Sequence, residues 1–433
     1  MSIEVTIEKL VYGGEGLART PEGIVLIPGA LPAEQVKIEL EPAKRGVRRA
    51  RLLEIMTPSP FRIAAPCPYF ASCGGCHHQQ TGYEQQLEWK RAILAECFER
   101  IGKLKIAAPI NTIAAEPWGY RNRIRLHARK EGGTLAVGFQ KPASNELCRV
   151  EDCAISAPAL QETIQRLAAG ELTDAFPTGA FEIELFASDN DRELLATITS
   201  GCPAPEHFGE AWQHLQPAYS SVSWIYQTVP ATGGPNARLY APPRRTAWGG
   251  GGLTVRVDDF HYRVSHESFF QTNRFLLGKM IETAVGSLEG ERALDLFAGV
   301  GFFTLPLARR FTHVIAVESH PAAAQDLQTN AGVAASKIYV YPSTTESFLS
   351  SKPSRQPWDL IVVDPPRNGL STPVREAVVA LKPKHVVYVS CDPTTLARDL
   401  AVLQTGGYNI ASIDLIDLFP QTYHLEAIVH LSR

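Results

Sequence analysis

The carboxyl-terminal third of the chain alternates short apolar runs with helix-like segments. The runs lie at 293–297, 313–318, 337–341, 358–364 and 385–390. Strands that alternate with helices predict a doubly wound sheet of parallel strands with a Rossmann-like α/β fold. Sheets of this kind bind their ligands at the carboxyl ends of the strands. We therefore look for site residues where these runs end.

The first of these strands leads into a turn that contains two glycines. Asp295 lies near the end of the strand, Gly299 and Gly301 lie in the turn, and a helical pattern follows. Such a turn lets the backbone approach a ligand. The next strand ends at Glu318, whose carboxylate can accept hydrogen bonds from ribose hydroxyls. Because Thr304 stands where a dinucleotide fingerprint has its third glycine, the pattern favours S-adenosylmethionine over NAD.

The fourth and fifth strands end in residues that can carry chemistry. Asp364 is followed by two prolines and then by Arg367, where methyltransferases that act on exocyclic amines often have an aromatic residue. Another means of activating the acceptor is therefore needed. Cys391 ends the fifth strand before a helix predicted from about Thr394, and a helix N-terminus lowers the pKa of a thiol. In isolation such a cysteine is more often a small buried residue, but its place at the ligand edge favours a nucleophile.

A carboxylate interrupts the last apolar strand of the chain, at Glu426. Burying a carboxylate is costly unless a partner or a function compensates. A salt-bridged strand residue and a general base both fit this position. If Cys391 adds to a ring carbon, a base must later remove a ring proton, and Glu426 is the candidate.

Short alternating runs separated by Gly and Pro turns predict a small OB-like β-barrel over residues 1–58. The runs lie near 3–9, 15–19, 23–27, 35–40 and 47–55. The region 59–252 reads as a mixed α/β central domain, and 253–433 as the Rossmann-like domain.

The central region carries one clear helix, from Tyr83 to about Arg100, and two hairpin turns, at 132–133 and 188–191. The Pro and Gly clusters of 203–252 predict loops and a linker.

Two groups of basic residues are candidates for contact with RNA phosphates. The first group, without an intervening acid, is Lys44, Arg45, Arg48, Arg49 and Arg51. The second group, Arg121, Arg123 and Arg125, alternates along one predicted strand and so shares a face. The alternatives are a basic edge that blocks strand pairing for the first group and a solvated face for the second.

Three cysteines have the spacing of metal ligands. Cys67, Cys73 and Cys76 are separated by five and two residues, and Cys153 or Cys148 could supply a fourth thiolate. Four thiolates suit an iron–sulfur cluster or zinc. Cys97, Cys148 and Cys202 are otherwise predicted to be core residues. Because no export signal is recognised, disulfides are not expected.

The overall composition predicts a globular protein of the cytoplasm. Lys plus Arg number 42 and Asp plus Glu number 45, so the formal net charge is −3, which argues against a uniformly basic nucleic-acid coat. No apolar run approaches the roughly 18 residues of a membrane span, and the polar start does not resemble a signal peptide. We expect no membrane association and no obligate protein partner.

Five motifs, in this order along the chain, resemble those of the bacterial RNA uracil-5 methyltransferases. They are FFQTN, DLFAGVGFFTLPLA, DPPR, SCDPTTLARDL and FPQTYHLE. The segment with Cys67, Cys73, Cys76 and Cys153 is also similar, so the resemblance covers nearly the whole chain. The amino-terminal barrel resembles the TRAM domain, which in this family points to large-subunit (23S) rRNA rather than to tRNA as the substrate.

The resemblance implies a role for each site residue. Cys391 would add to uracil C6, Glu426 would remove the C5 proton, and Asp364 would be a catalytic-site aspartate. The residues expected to contact S-adenosylmethionine are Gln271, Asp295, Phe297, Gly299, Gly301, Glu318 and Asp364. Cys153 becomes the fourth cysteine ligand of an iron–sulfur cluster, expected to be of the 4Fe–4S type, with zinc as the alternative.

The chain departs from the family pattern at the cofactor turn. Phe297 stands where relatives commonly have tyrosine, and Phe302 stands where they have asparagine. The segment YPSTTES offers no residue that aligns with the usual adenine contact. Three other functions remain open: methylation of tRNA, methylation of an amine, and a catalytically silent RNA-binding assembly factor.

Overall fold

The computed structural model describes residues 2–43, 46–106, 108–215, 219–226, 243–332 and 336–433. Lys44 and Arg45, two members of the first basic group, lie outside the described residues. Within the described part of the chain, no helix combines the length and the apolar character needed to cross a membrane.

Six strands form the amino-terminal sheet. They are β1 (Ser2–Thr6), β2 (Lys9–Leu10), β3 (Glu15–Thr20), β4 (Gly23–Pro28), β5 (Gln35–Leu40) and β6 (Arg48–Thr57). Their spatial order is β1-β5-β6-β4-β3-β2. Alternate side chains point into a small core that includes Val25, Ile27, Val36 and Ile38. Every predicted run contains a strand, and the first run divides into β1 and β2.

The central region has a seven-stranded sheet with two helices packed on it. Its first elements are α1 (Tyr83–Arg100), β7 (Ile110–Ile113), β8 (Arg123–Glu131), β9 (Thr134–Gln140), β10 (Leu147–Arg149) and α2 (Pro158–Ala168). The others are β11 (Gly179–Ala187), β12 (Leu194–Ser200), α3 (Phe208–Leu215), β13 (Tyr219–Tyr226) and β14 (Arg244–Gly249). The sheet order is β10-β9-β8-β11-β12-β13-β14. The predicted helix and both predicted hairpin turns are confirmed.

The prediction of loops and a linker over 203–252 is wrong for the described part of that segment. It contributes α3, β13 and β14, and β13 pairs with both β12 and β14. Trp212 and Trp224 are fully buried in the central core, where Trp224 packs against Phe208 with ring centroids 4.6 Å apart. Trp224 also packs against Phe176 and Phe181, which lie outside this segment, so the local Pro and Gly pattern did not show all of the packing that stabilises these elements.

The carboxyl-terminal region begins with a hairpin and continues as alternating strands and helices. Its first elements are β15 (Gly252–Val257), β16 (Phe260–Ser265), α4 (Leu277–Val285), β17 (Gly290–Leu296), α5 (Thr304–Arg310), β18 (Phe311–Glu318), α6 (Pro321–Ala331) and β19 (Ile338–Pro342). The others are α7 (Thr345–Leu349), β20 (Leu360–Val363), α8 (Thr372–Leu381), β21 (His385–Ser390), α9 (Pro393–Thr405), β22 (Asn409–Ile416) and β23 (Glu426–Ser432).

An eight-stranded sheet runs through this region in the order β19-β18-β17-β20-β21-β23-β22-β7. The strands β17 to β21 pair in parallel, and β23 runs antiparallel to both of its neighbours. The predicted doubly wound sheet is thus present. The edge strand β7 comes from the central region and pairs with β22. Leu94 and Phe98 of α1 share a core with Leu396 and Leu400 of α9. Segments on both sides of the predicted boundary at 252 therefore belong to one layer.

Candidate active site

The turn between β17 and α5 has a strained backbone beside open space. Phe297, Gly299 and Gly301 have φ values of 63°, 56° and 95°. A Cβ at position 301 would lie 2.7 Å from Leu327, whereas a Cβ at position 299 would meet nothing within 4 Å. Strain of this kind in a non-glycine residue is typical of ligand sites. Gly299 therefore borders space in which a ligand could contact the backbone.

Two carboxylates flank this turn. Asp295 is fully buried; its Oδ2 accepts a 2.5 Å hydrogen bond from Thr304, and its Oδ1 has no partner among the described residues. Burial, with Glu318 adding to the effect, raises the pKa of Asp295 to about 7. Glu318 accepts hydrogen bonds from the backbone amides of Gly299, at 2.8 Å, and His320, at 2.6 Å. Both carboxylates could accept hydrogen bonds from a ligand or stabilise a positive charge on it.

The strand register explains why the nucleophile and base candidates meet. In the antiparallel pair of β21 and β23, Ser390 lies opposite Ala427, so Cys391 and Glu426 are the next positions in the same register. Asp364 directly follows β20, which pairs in parallel with β21. The structure thus brings Cys391, Glu426 and Asp364 to one edge of the sheet.

The prediction that a helix N-terminus lowers the pKa of Cys391 is wrong for this structure. Burial raises that pKa to about 12; Glu426 and Asp364 raise it further, and Arg367 acts against them. The amides at the start of α9 are already occupied, because the Asp392 side chain accepts both of the hydrogen bonds that residues 394 and 395 donate, at 2.9 Å. The thiol is therefore protonated in the ligand-free protein.

The carboxyl groups of the same edge also favour their protonated forms. Burial and the neighbouring Asp295 raise the pKa of Asp364 to about 7, and Gln271 donates a 3.3 Å hydrogen bond to Asp364. Burial and Asp364 raise the pKa of Glu426 well above its usual range, with Arg367 acting against them. Among the described residues no cation lies within ion-pair distance of Glu426, so a salt-bridged strand residue is not what the structure shows.

Three further residues adjoin this edge. Arg367 contacts the His424 ring at 3.2 Å, and burial together with Arg367 lowers the pKa of His424 to about 3, so the ring is a neutral acceptor. The hydroxyl of Tyr12, from the turn between β2 and β3, donates to the Cys391 carbonyl at 3.4 Å. The sequence reading missed His424 and Tyr12. The position of His424, two residues before Glu426, was an available signal, whereas Tyr12 lies 379 residues from Cys391.

The four predicted cluster cysteines line one cavity of about 340 Å³. They are Cys67, Cys73, Cys76 and Cys153. Cys148, the alternative fourth thiol, is instead buried in the central core, and Cys97 is also a core residue, as predicted. Burial raises the pKa of Cys73 to about 11 and that of Cys76 to about 12, and the neighbouring thiols add to both. In the described residues, no group of three or more His, Cys, Asp or Glu side chains converges closely enough to hold a single metal ion.

Acids of the β3–β4 hairpin pair with two of the basic candidates. Arg48 pairs with Glu22, and Arg49 makes a two-pronged pair with Glu15 at 2.6 and 3.0 Å. Ion-pair partners of this kind are not visible in the spacing of the basic residues themselves.

Within the second basic group, ion pairs and hydrogen bonds inside the protein already occupy some of the guanidinium groups. Arg123 bonds to Glu184 at 2.5 Å and to the Ser268 carbonyl at 2.6 Å, and Glu184 also pairs with Arg125. Arg121 lines the cysteine cavity and donates to the Arg123 carbonyl. Arg123 is thus held inside the protein, whereas Arg121 faces the cavity.

Comparison with known proteins gives matches over the whole chain. Residues 82–339 and 354–433 match the family described as tRNA (Uracil-5-)-methyltransferase, and residues 2–53 match the TRAM domain. A relative from Aquifex aeolicus, called an uncharacterized RNA methyltransferase, is 31% identical over 99% of this chain and 98% of its own length. The 23S rRNA (uracil(1939)-C(5))-methyltransferase RlmD of Alkalilimnicola ehrlichii is 33% identical over 99% of this chain and 96% of its own.

A solved structure has a similar fold. The tRNA (uracil-54, C5)-methyltransferase of Pyrococcus abyssi, in complex with S-adenosyl-L-homocysteine, aligns with a TM-score of 0.74. The two share 24% identity, and the alignment covers 99% of this chain and 100% of the other. The extent of the family match and the identity of the full-length relatives show that this chain belongs to the tRNA (uracil-5-)-methyltransferase family of RNA-modifying enzymes and carries a TRAM domain.

Proposed function

We propose that the protein transfers a methyl group from S-adenosylmethionine to C5 of a uracil in RNA. The observation that carries this proposal is the meeting of Cys391, Glu426 and Asp364 at the edge of the sheet where the β17–α5 turn borders open space. A thiol and a carboxyl group on adjoining strands supply the nucleophile and the base that methylation of a ring carbon needs.

The reaction begins at the thiol. Cys391 forms a bond from its sulfur to C6 of the uracil, and its proton passes to a neighbouring carboxylate, so that C5 gains the electron pair that attacks the methyl group. Bound S-adenosylmethionine supplies that methyl group and a positively charged sulfur. This charge opposes the burial that raises the pKa values of Cys391 and Asp364 in the free protein, and Arg367 also favours the thiolate of Cys391.

The reaction ends at Glu426. Its carboxylate takes the proton from C5, the double bond between C5 and C6 forms again, and the bond from C6 to the Cys391 sulfur breaks. Glu426 must be ionised to do this, and Arg367 favours its charged form. The uracil has to be extruded from its stack to reach a thiol at this edge.

Large-subunit rRNA is the substrate that we favour, on the strength of the RlmD relative at 33% identity. An rRNA substrate would make the protein a cytoplasmic enzyme. The family description and the Pyrococcus structure both refer to tRNA, so tRNA is the second candidate. Arg48, Arg49 and Arg121 are proposed to contact phosphates, as are Lys44 and Arg45 outside the described residues. Arg123 holds Glu184 and is a weaker candidate than the others.

The cysteine cavity is proposed to hold an iron–sulfur cluster. The four thiols line one cavity of about 340 Å³, and four thiolates suit an iron–sulfur cluster, with zinc as the alternative. Binding of either would favour the thiolate forms of these cysteines. Iron and sulfide analysis of anaerobically purified protein tests this, with Cys153→Ala expected to lose iron and Cys148→Ala to retain it.

The proposed function is tested by nucleoside mapping with methyl-labelled S-adenosylmethionine. Unmodified rRNA and tRNA are incubated with the wild-type protein, with Cys391→Ala and, as a matched control, with Cys202→Ala. We expect labelled 5-methyluridine with the wild-type protein and with the Cys202→Ala control. We expect none with Cys391→Ala. Label in an amine of another nucleoside, or methylation by Cys391→Ala, would overturn the mechanism. Absence of label with wild-type protein would favour the assembly factor.

A further inference from the structure

The loop that leads into Glu426 contains a strained residue. Residues 417–425 connect β22 to β23, and Glu426 is the first residue of β23. Within this loop Gln421 has a φ of 68° and is only 3% exposed. A non-glycine residue keeps this conformation only where its surroundings hold it in place.

Gln86 of α1 holds Gln421 with two hydrogen bonds. Its side-chain oxygen accepts from the Gln421 backbone amide at 3.0 Å, and its side-chain nitrogen donates to the Gln421 side-chain oxygen at 2.9 Å. The backbone amides of His77 and His78, next to the cluster cysteine Cys76, both donate to the Gln421 carbonyl, at 2.7 and 3.0 Å. The backbone of Gln421 is therefore held from α1 on one side and from the cysteine segment on the other.

Lys90 holds the start of the same loop. Its ammonium group contacts Asp417 at 2.6 Å and the Phe419 carbonyl at 2.9 Å, and Tyr83 donates to Asp417 at 2.9 Å. Lys90 and Asp417 are 2% and 0% exposed. Because Tyr83, Gln86 and Lys90 lie three and four positions apart, they share one face of α1. A helix in this environment would ordinarily bury apolar side chains on that face.

We propose that Gln86 and Lys90 are positioning residues for the base: they hold the loop so that the Glu426 carboxylate faces C5 of the methylated uracil. This rests on the proposed role of Glu426 as the base. No cation of the described residues holds the Glu426 side chain, so its direction depends on its backbone. Pairing with β22 fixes that backbone from position 426 onward, and the loop fixes it up to position 425. Loosening the loop leaves the addition of Cys391 and the methyl transfer intact, and it slows the removal of the C5 proton.

Removal of the C5 proton is the last chemical step, so a defect confined to this step can be distinguished from a general loss of structure. If only the last step slows, the covalent protein–RNA intermediate accumulates. We therefore compare Gln86→Ala with Gln85→Ala, a neighbouring glutamine of the same helix for which the structure shows no side-chain hydrogen bond among the described residues. The substrate is an RNA oligonucleotide carrying the uracil identified by nucleoside mapping. Covalent complex is measured on denaturing gels and 5-methyluridine by mass spectrometry.

We expect Gln86→Ala to form adduct with 5-fluorouridine RNA at the wild-type rate and to release 5-methyluridine about 10- to 100-fold more slowly, with covalent complex accumulating. Gln85→Ala should behave as wild type. Gln421→Gly is the second variant, because glycine adopts a φ of 68° without strain and lacks the side-chain amide that Gln86 holds. It should accumulate the same complex, and the double variant should be no slower than either single variant.

The variant Glu426→Gln tests the role of Glu426 as the base separately from the positioning role of Gln86. It should accumulate covalent complex; if it does not, the base assignment is wrong and the positioning role falls with it. If Glu426→Gln accumulates the complex while Gln86→Ala and Gln421→Gly release product at the Gln85→Ala rate, only the positioning role is overturned. The positioning role is likewise overturned if adduct formation and product release fall equally in Gln86→Ala and Gln421→Gly.

Discussion

Two groups of buried or half-buried acids in the carboxyl-terminal layer differ in their counter-charges. Asp399 is fully buried and pairs with Arg375 at 2.6 Å and Arg398 at 2.8 Å. Asp417 is fully buried and pairs with Lys90. These pairs secure loops, since Asp399 also accepts from the backbone of residue 370 at 2.7 Å.

The acids of the ligand edge have no such partners. Asp295, Asp364 and Glu426 lie within the same layer, and among the described residues none has a cation at ion-pair distance. Burial accordingly raises the pKa of each. The lack of a cation alone does not mark a catalytic acid, because Asp326 is also buried without an ion pair among the described residues and accepts hydrogen bonds from Ser265 and Ser268. The ligand-edge acids combine the lack of a cation with a position beside the open space at the carboxyl ends of the strands, which makes them candidates for binding charge or exchanging protons.

The largest effect on stability is expected at a paired acid. Asp417→Asn leaves the Lys90 ammonium buried without its counter-charge, so we expect a loss of about 3–5 kcal/mol in the free energy of unfolding. Urea unfolding measures this. Asp414→Asn, on the partly exposed face of β22, is the control and should lose less than about 1 kcal/mol. If the two variants lose the same free energy of unfolding, the ion pair of Asp417 does not contribute more to stability than a half-exposed acid does.

Asp364→Asn should separate activity from stability. We expect methylation to fall about 100- to 1,000-fold, because the variant lacks a carboxylate that can stabilise the positive charge of bound S-adenosylmethionine. The raised pKa means that the folded protein holds the Asp364 proton more tightly than the unfolded chain does between about pH 4 and pH 7. Stability contributed by this proton is therefore lost as pH rises through about 7. The variant should be more resistant to urea than the wild type at pH 8 and no more resistant at pH 4.

The unpaired acids should make cofactor binding depend on pH. Because the pKa values of Asp295 and Asp364 are about 7 in the free protein, both become ionised above neutrality. The positive sulfur of S-adenosylmethionine favours the ionised forms, and the neutral sulfur of S-adenosylhomocysteine does not. Between pH 8 and pH 6 we expect affinity for S-adenosylmethionine to fall about tenfold and affinity for S-adenosylhomocysteine to change less. Titration calorimetry decides this, and parallel pH profiles for the two ligands would contradict it.

The smallest effect is expected at the protein surface, where acids pair with the basic strand β6. Glu15→Gln should release Arg49 for RNA phosphates and raise RNA affinity about two- to fivefold at low salt. The slope of log affinity against log salt should steepen by about one. Glu4→Gln, on the exposed face of β1, is the control. If both variants bind RNA alike, Arg49 does not contact the phosphates.

Local patterns predicted the elements that depend on neighbouring residues. The helix over 83–100, the hairpin turn at 132–133 and the alternating strands of the last third follow from periodicity and turn chemistry, and the structure has all of them. The meeting of Cys391 with Asp364 also follows, because parallel strands deliver their carboxyl ends to one edge. Four cysteines at one cavity were predictable from their spacing and the family resemblance.

Features that depend on distant residues escaped the sequence reading. Nothing in the segment around β7 shows that it extends the carboxyl-terminal sheet, and the polar residues Gln86 and Lys90 read as ordinary helix positions. The pairing of Arg49 with Glu15, 34 residues apart, likewise depends on strand order.

The sequence by itself determined the layered α/β fold, the positions of the candidate nucleophile and of the two candidate acids, and the thiols of the cavity, because hydrophobic period, turn residues and residue chemistry are local properties. The tertiary structure decided the direction in which the pKa values of Cys391 and Glu426 shift and the way the loop before Glu426 is held. A pKa reflects burial and the charges around a group, and a hydrogen bond reflects what lies within about 3 Å. Both depend on parts of the chain that only folding brings together.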